Sequence, residues 1–231
     1  MQNRSSAVME QRAPAATEEA DAERALWRKL DWFATPPWAS RAGAELVKRF
    51  DPGAREVWEP AAGDGAMAEC LKDHFVRVGA SDIHPQAPTV FQWDFLDTPA
   101  EPHSRLDWVI TNPPFRLAEE FVLQGLCIAD RGVAVLCRTA FLESVSRFET
   151  HDRYLAHVAI FCERVPMQLG PWDPGCSTAT SYAWFLFDRL NKRGTHALSF
   201  IPPGTRDRLW KADDVQRFAT AKDLPLMERS S

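Results

Sequence analysis

A chain of 231 residues with a hydrophobic fraction of 45% is sized for one α/β domain, or one domain with a short appendage. Its apolar runs, such as 132–137 and 182–187, have strand length and are too short to cross a bilayer as helices, and the N-terminal segment carries no apolar signal-peptide core, so a cytoplasmic, non-membrane protein is expected. The net charge of −5 argues against a protein held to nucleic acid by its global field; a nucleic-acid substrate would need a local basic surface or a partner.

The five cysteines (70, 127, 137, 162 and 176) include no CxxC pair, and the histidines show no paired ligand spacing, so neither a metal site nor a disulfide framework is expected. Residues 1–24 lack periodicity and read as a disordered tail, turning helical towards Glu23–Leu30. Residues 25–205 alternate strand-like and helix-like segments, the pattern of a mostly parallel sheet with helices on both faces, and 206–231 read as a C-terminal extension.

In chain order, Ser40–Phe50 is an amphipathic helix with Leu46, Val47 and Phe50 on one side. Strand Arg55–Glu59 runs through a glycine-rich turn into a helix over Ala66–Asp73. Phe75–Ser81 is the second strand, with Asp82 at its end; Val90–Trp93 is the third and Leu106–Thr111 the fourth. Helix Leu117–Ile128, strand Gly132–Cys137 and a helix over Thr139–Phe148 follow. Two late strands, His157–Cys162 and Tyr182–Phe187, flank a long loop, and His196–Ile201 adds an edge strand.

The chemically suggestive residues fall on loops after strand C-termini, where open α/β sheets bind ligands. Gly63, Gly65 and Ala68 form a GxGxxA nucleotide-cofactor turn, and Asp82, nineteen residues after Gly63, is placed to accept from ribose hydroxyls. That pattern fits both a nicotinamide dinucleotide and S-adenosylmethionine. Glu59 before Pro60 favours the second, because an acidic group at the first strand's end can meet a cationic cofactor. So does the Trp93-Asp94-Phe95-Leu96 segment, where Asp94 can accept from an adenine amino group and Phe95 can line its ring. Asn112-Pro113-Pro114-Phe115 is a stiff loop that presents acceptors, the Asn112 side-chain oxygen and the Pro113 carbonyl. Two fixed acceptors, each taking one N–H, turn a conjugated amine towards a tetrahedral nucleophile, and Phe115 offers a flat face to a planar substrate.

In this order the segments resemble the class I S-adenosylmethionine-dependent amino-methyltransferases, in particular small N6-adenine DNA methyltransferases of phages and prophages with an NPPY/NPPF loop. The resemblance spans residues 30–205. It implies a Rossmann-like fold with a mostly parallel seven-stranded sheet, and methyl transfer from S-adenosylmethionine to adenine N6 in DNA. Phe33-Ala34-Thr35-Pro36 resembles the family's TP motif, which implies that Thr35 contacts the methionine end of the cofactor. Glu59, Ala61, Gly63 and Gly65 match its glycine loop, Asp82 its ribose acid, Asp94 and Phe95 its adenine clamp, and Asn112, Pro113, Pro114 and Phe115 its catalytic loop. Gly132–Cys137 followed by Arg138–Leu142 resembles the fifth-strand motif bordering the target pocket, and Trp172 to Phe187 the late loop-and-strand region of these small enzymes; Phe115, Arg138 and Trp172 are the expected substrate contacts. No separate target-recognition domain fits after residue 205, so recognition falls to loops 138–153 and 165–180 or to a protein partner. Guanine N2 or adenine N6 in RNA, protein glutamine, a catalytically idle partner subunit and a nicotinamide-dependent oxidoreductase remain alternatives.

Overall fold

The computed structural model describes residues 18–99 and 106–219; most of the expected N-terminal tail, residues 1–17, lies outside them. Eight strands form one sheet: β1 (Glu56–Glu59), β2 (Arg77–Asp82), β3 (Phe91–Gln92), β4 (Trp108–Thr111), β5 (Gly132–Arg138), β6 (Leu155–Phe161), β7 (Tyr182–Asp188) and β8 (Ala197–Ile201), in the order β3-β2-β1-β4-β5-β7-β6-β8. The first five are parallel, and β7 inserts antiparallel between β5 and β6. Seven strands match the expected architecture, and β8, anticipated as an addition over His196–Ile201, pairs in parallel with β6.

The central strands are covered on both faces, which is why they read as unbroken apolar runs. Val133, Val135, Phe185 and Phe187 serve the core beneath helix α4 (Ala118–Ile128), while Ala134, Leu136, Trp184 and Leu186 serve the core beneath α2 (Pro37–Phe50). Small residues let α2 sit close: a Cβ on Gly43 would fall 2.3 Å from the Trp184 ring, and the Trp184 indole donates to the Ala39 carbonyl at 3.1 Å. Trp38, 1% exposed, packs edge-on against Phe161 in the same core.

Two expectations are corrected. Helix α1 (Glu18–Leu30) begins earlier than the sequence suggests, so residues 18–24 are helical rather than part of a tail; it contributes no buried residue. Thr139–Phe148 is not one helix: a 3-10 turn covers Thr139–Leu142, and α5 spans Phe148–Tyr154. Between them Val145 is 98% exposed, so the stretch has no apolar stripe to bury and no packing to hold a helix.

The C-terminal helices α6 (Thr205–Leu209) and α7 (Asp214–Phe218) are fastened to α2 by one buried arginine. Arg41 donates through Nη1 and Nη2 to both carboxylate oxygens of Asp214 at 2.8 and 2.7 Å, through Nε to Asp73 at 3.0 Å, and to the Leu209 carbonyl at 2.9 Å. Burial alone would lower the Arg41 pKa, but Asp214 and Asp73 together raise it above the ordinary arginine value. Removing one partner strands a buried charge. Asp214→Ala is therefore expected to lower the unfolding free energy by about 3–5 kcal/mol in urea titrations, while a paired Arg41→Met/Asp214→Leu replacement costs much less.

Candidate active site

The strand order reverses beside β1: β2 and β3 lie on one side, β4 and β5 on the other. A crevice opens at such a reversal because the connections leave the sheet in opposite directions. Here it is a cleft of about 960 Å³, its solvent-open mouth included, walled by the ends of β1, β2 and β4, the Asp94 turn and the 30–35 strap. It brings together Thr35, Glu59, Ala61, Gly63, Asp82, Asp94, Phe95, Asn112 and Pro114.

Gly63 and Gly65 have φ of 54° and 85°, the left-handed geometry that makes the turn after β1. Gly65 shapes this turn without lining the cleft. Asp82 holds the turn in place, accepting from the Gly63 amide at 2.9 Å and from the His84 amide at 2.7 Å. A carboxylate has about four acceptor positions, so Asp82 keeps capacity for hydroxyls in the cleft. Asp94 caps the following 3-10 turn by accepting from the Leu96 amide at 3.0 Å through Oδ1. Phe95 is 2% exposed and forms the floor, wedged between Trp58 and Phe121.

Two buried acceptors in this cleft lack a hydrogen bond among the described residues: Glu59 Oε2 and Asn112 Oδ1. Glu59 Oε1 is occupied, accepting from the Thr111 hydroxyl at 2.6 Å and the Ala61 amide at 3.2 Å. Burial pushes the Glu59 pKa up to about 8, against the opposing pull of those two donors. Asn112 is oriented from its other end. Nδ2 donates to the Phe33 carbonyl at 2.8 Å and the Thr35 hydroxyl oxygen at 3.0 Å, with the Met167 sulfur at 3.8 Å. A carbonyl can only accept, so the amide cannot be flipped, and Oδ1 is the end left for an incoming donor. The Pro113 carbonyl also has no hydrogen bond among the described residues, whereas that of Pro114 accepts from the Leu117 amide at 2.8 Å.

The remaining expected residues are placed differently. Phe115 lies beside Phe33 and Tyr182, ring centroids 5.5 and 6.1 Å away, and the Arg138 guanidinium covers it at 4.7 Å. Arg138 thus occupies one face of Phe115, and neither residue lines the cleft. Trp172 is corrected: it is 2% exposed, packed against Trp210 at 5.6 Å, and does not line the cleft, so it cannot receive a stacked substrate. Trp32, Met67 and Gln86 line the cleft although no motif marked them. Trp32 sits so close over the glycine turn that a Cβ on Gly63 would fall 2.6 Å from its Nε1. Among nine tryptophans, nothing in its sequence neighbourhood distinguishes it.

No protein-family model matches the sequence, and no curated protein sequence matches it. Solved structures do. The methyltransferase subunit of a type I restriction-modification system from Streptococcus thermophilus is similar with a TM-score of 0.53 at 12% identity, over 77% of this chain and 50% of that one. An O-methyltransferase predicted for Agrobacterium tumefaciens is similar with a TM-score of 0.48 at 14% identity, over 71% of this chain and 85% of that one. A tRNA (m1A58) methyltransferase from Aquifex aeolicus gives 0.44 at 15% identity, over 68% of this chain and 70% of that one. At such identities the likeness shows the fold, which is the Rossmann-like α/β fold of methyltransferases.

The burial of Glu59 has a consequence for stability. Its pKa is raised on folding, so the folded state holds a proton that the unfolded chain has lost between pH 4.5 and about 8, and this contribution to stability falls as pH rises through that window. Glu59→Gln should remove it: the stability difference between variant and wild type is expected to shift in the variant's favour by about 3–4 kcal/mol from pH 5 to pH 8 in denaturant titrations. A difference independent of pH would place an ionised carboxylate in the cleft at all these pH values.

Proposed function

We propose that the protein transfers the methyl group of S-adenosylmethionine to the N6 amino group of adenine in DNA. The observation that carries this reading is the buried Asn112 Oδ1, without a hydrogen bond among the described residues, on a cleft-lining residue whose amide nitrogen is already committed elsewhere. Bound S-adenosylmethionine supplies an electrophilic methyl on a sulfonium.

The residues present suit that cofactor. Glu59 Oε2 offers a dry acceptor to a cationic group, and meeting one would stabilise the carboxylate that burial disfavours. Asp82 has acceptor capacity left for ribose hydroxyls, and Asp94 Oδ2 is available for an exocyclic amine. Phe95 and Leu96 give the apolar wall for a purine ring.

On the target side, Asn112 Oδ1 and the Pro113 carbonyl each accept one N–H of the incoming amine. That draws the nitrogen out of conjugation and aims its lone pair along the line of transfer. With the cofactor bound, transfer would leave S-adenosylhomocysteine, and Asn112 Oδ1 and the Pro113 carbonyl would hold the amine while its nitrogen loses one proton to solvent. The acceptors are fixed before the substrate arrives, so little reorganisation is needed at the moment of reaction. Thr35 serves this geometry as well as the cofactor end: its oxygen receives Asn112 Nδ2 at 3.0 Å, leaving its own proton to donate into the cleft. Sequence recognition falls to loops 138–153 and 165–180 or to a protein partner.

Asn112→Ala is expected to keep the thermal shift produced by S-adenosylhomocysteine while methyl transfer to DNA falls about 10²-fold or more. Near-normal turnover would overturn the mechanism. Thr35→Val should lower turnover about five- to tenfold, the scale of one lost hydrogen bond that orients Asn112, and Thr35→Ser should restore it.

A further inference from the structure

A net charge of −5 makes the basic groups close to the cleft the ones that matter for an anionic substrate. Beside the Asn112 loop lie Arg116, Arg138 and Arg164, which take part in no ion pair among the described residues. These three are exposed, and a chain of contacts joins them. The Arg116 guanidinium donates to the Lys29 carbonyl, and its chain neighbour Phe115 lies under the Arg138 guanidinium at 4.7 Å. Arg138 sits opposite Tyr182 in the β5–β7 register, and the adjoining Ser181 hydroxyl accepts from Arg164 Nη1 at 3.0 Å. The row therefore passes directly beside the catalytic-loop aromatic ring, from the strap to the loop before β7.

Each end of the row is held by uncharged acceptors. Arg116 is pinned to a main-chain carbonyl, and Arg164 to the Ala179 carbonyl at 2.7 Å as well as to Ser181. A guanidinium has five N–H donors, so such contacts orient the group and leave the others for an outside acceptor. The Asp31 carboxylate accepts from the Arg116 main-chain amide at 3.4 Å, not from its guanidinium. Oriented guanidinium groups joined by contacts along one edge of the catalytic loop match anions repeated along a strand, and the aromatic–arginine pair in the middle is suited to a flat ring.

We propose that Arg116, Arg138 and Arg164 form a phosphate track that guides a nucleic-acid strand past the Asn112 loop, with the target base leaving the strand beside Phe115. This rests on the reading that the methylated amine belongs to a nucleobase. It assigns Arg116 and Arg164 a place in substrate binding and accounts for nucleic-acid engagement by an acidic protein. DNA and RNA share the phosphodiester chemistry the track recognises.

The test is an Arg116→Gln/Arg164→Gln double variant of the full chain, in which glutamine retains a donor for the holding carbonyls. Binding of fluorescent DNA and RNA oligonucleotides, titrated separately, is followed by anisotropy between roughly 50 and 200 mM salt. The track predicts affinity lower by about tenfold or more, with the slope of log Kd against log salt smaller by about 0.9 per lost contact on duplex DNA, or about 0.7 on a single strand. The thermal shift with S-adenosylhomocysteine stays at its wild-type value, and a Lys72→Gln/Arg77→Gln control leaves oligonucleotide affinity and salt slope unchanged. A double variant with wild-type affinity and slope, while both proteins still methylate the oligonucleotide, would overturn the track and leave the nucleobase reading standing. A wild-type protein that binds no oligonucleotide and methylates a protein amide instead would overturn both.

Discussion

The side-chain amide of Asn112 can be turned only one way. Its nitrogen lies between the Phe33 carbonyl and the Thr35 hydroxyl oxygen, and its oxygen is thereby left buried without a partner among the described residues. Much of the surrounding structure keeps that arrangement in place. The strap carrying Phe33 and Thr35 is fixed to the late loop, where the Ala34 amide donates to the Gly170 carbonyl and the Gly170 amide to the Trp32 carbonyl at 3.1 and 2.8 Å. Met167, on the same late loop, touches the amide nitrogen from another side. Three segments far apart in sequence thus converge on a single planar group, and none of them alone would orient it.

A buried acceptor without a hydrogen bond ordinarily costs about 1–3 kcal/mol. Among the described residues this cleft holds two, Glu59 Oε2 and Asn112 Oδ1. Glu59 ends β1 and Asn112 follows β4, strands that meet at the reversal in strand order, where the apolar cores on the two faces of the sheet hold the backbone still. The rigidity of the sheet offsets the unfavourable polar burial, and a cation at one acceptor with an amine at the other would relieve it. The two acceptors divide the cleft chemically: one side suits a positive charge and the other a donor pair on a flat ring.

The sheet was legible because strands buried on both faces appear as unbroken apolar runs, and because glycines at 63 and 65 mark a turn that few other residues can make. Asp82 and Asp94 were legible from their places at strand ends, although the structure adds that each also holds its own loop. What the sequence hid depends on contacts between distant segments. Trp172 looks like an exposed aromatic within a proline- and glycine-containing loop until Trp210, from beyond the expected domain end, covers it. Trp32 carries no motif, and only the close approach to Gly63 reveals it. The helix expected over Thr139–Phe148 fails because Val145 is left exposed, and the places of Arg116 and Arg164 depend on contacts with Lys29 and Ser181, distant in sequence.

The proposed methyl transfer to an amine is most directly tested by the chemistry of its product. DNA and RNA incubated with the protein and isotopically labelled S-adenosylmethionine are digested to nucleosides and analysed by mass spectrometry. Labelled N6-methyladenine from DNA is the expected result. Label on a carbon or an oxygen of any nucleoside, or a reaction that leaves every exocyclic amine of DNA, RNA and protein amides unmodified, would contradict the role assigned to Asn112.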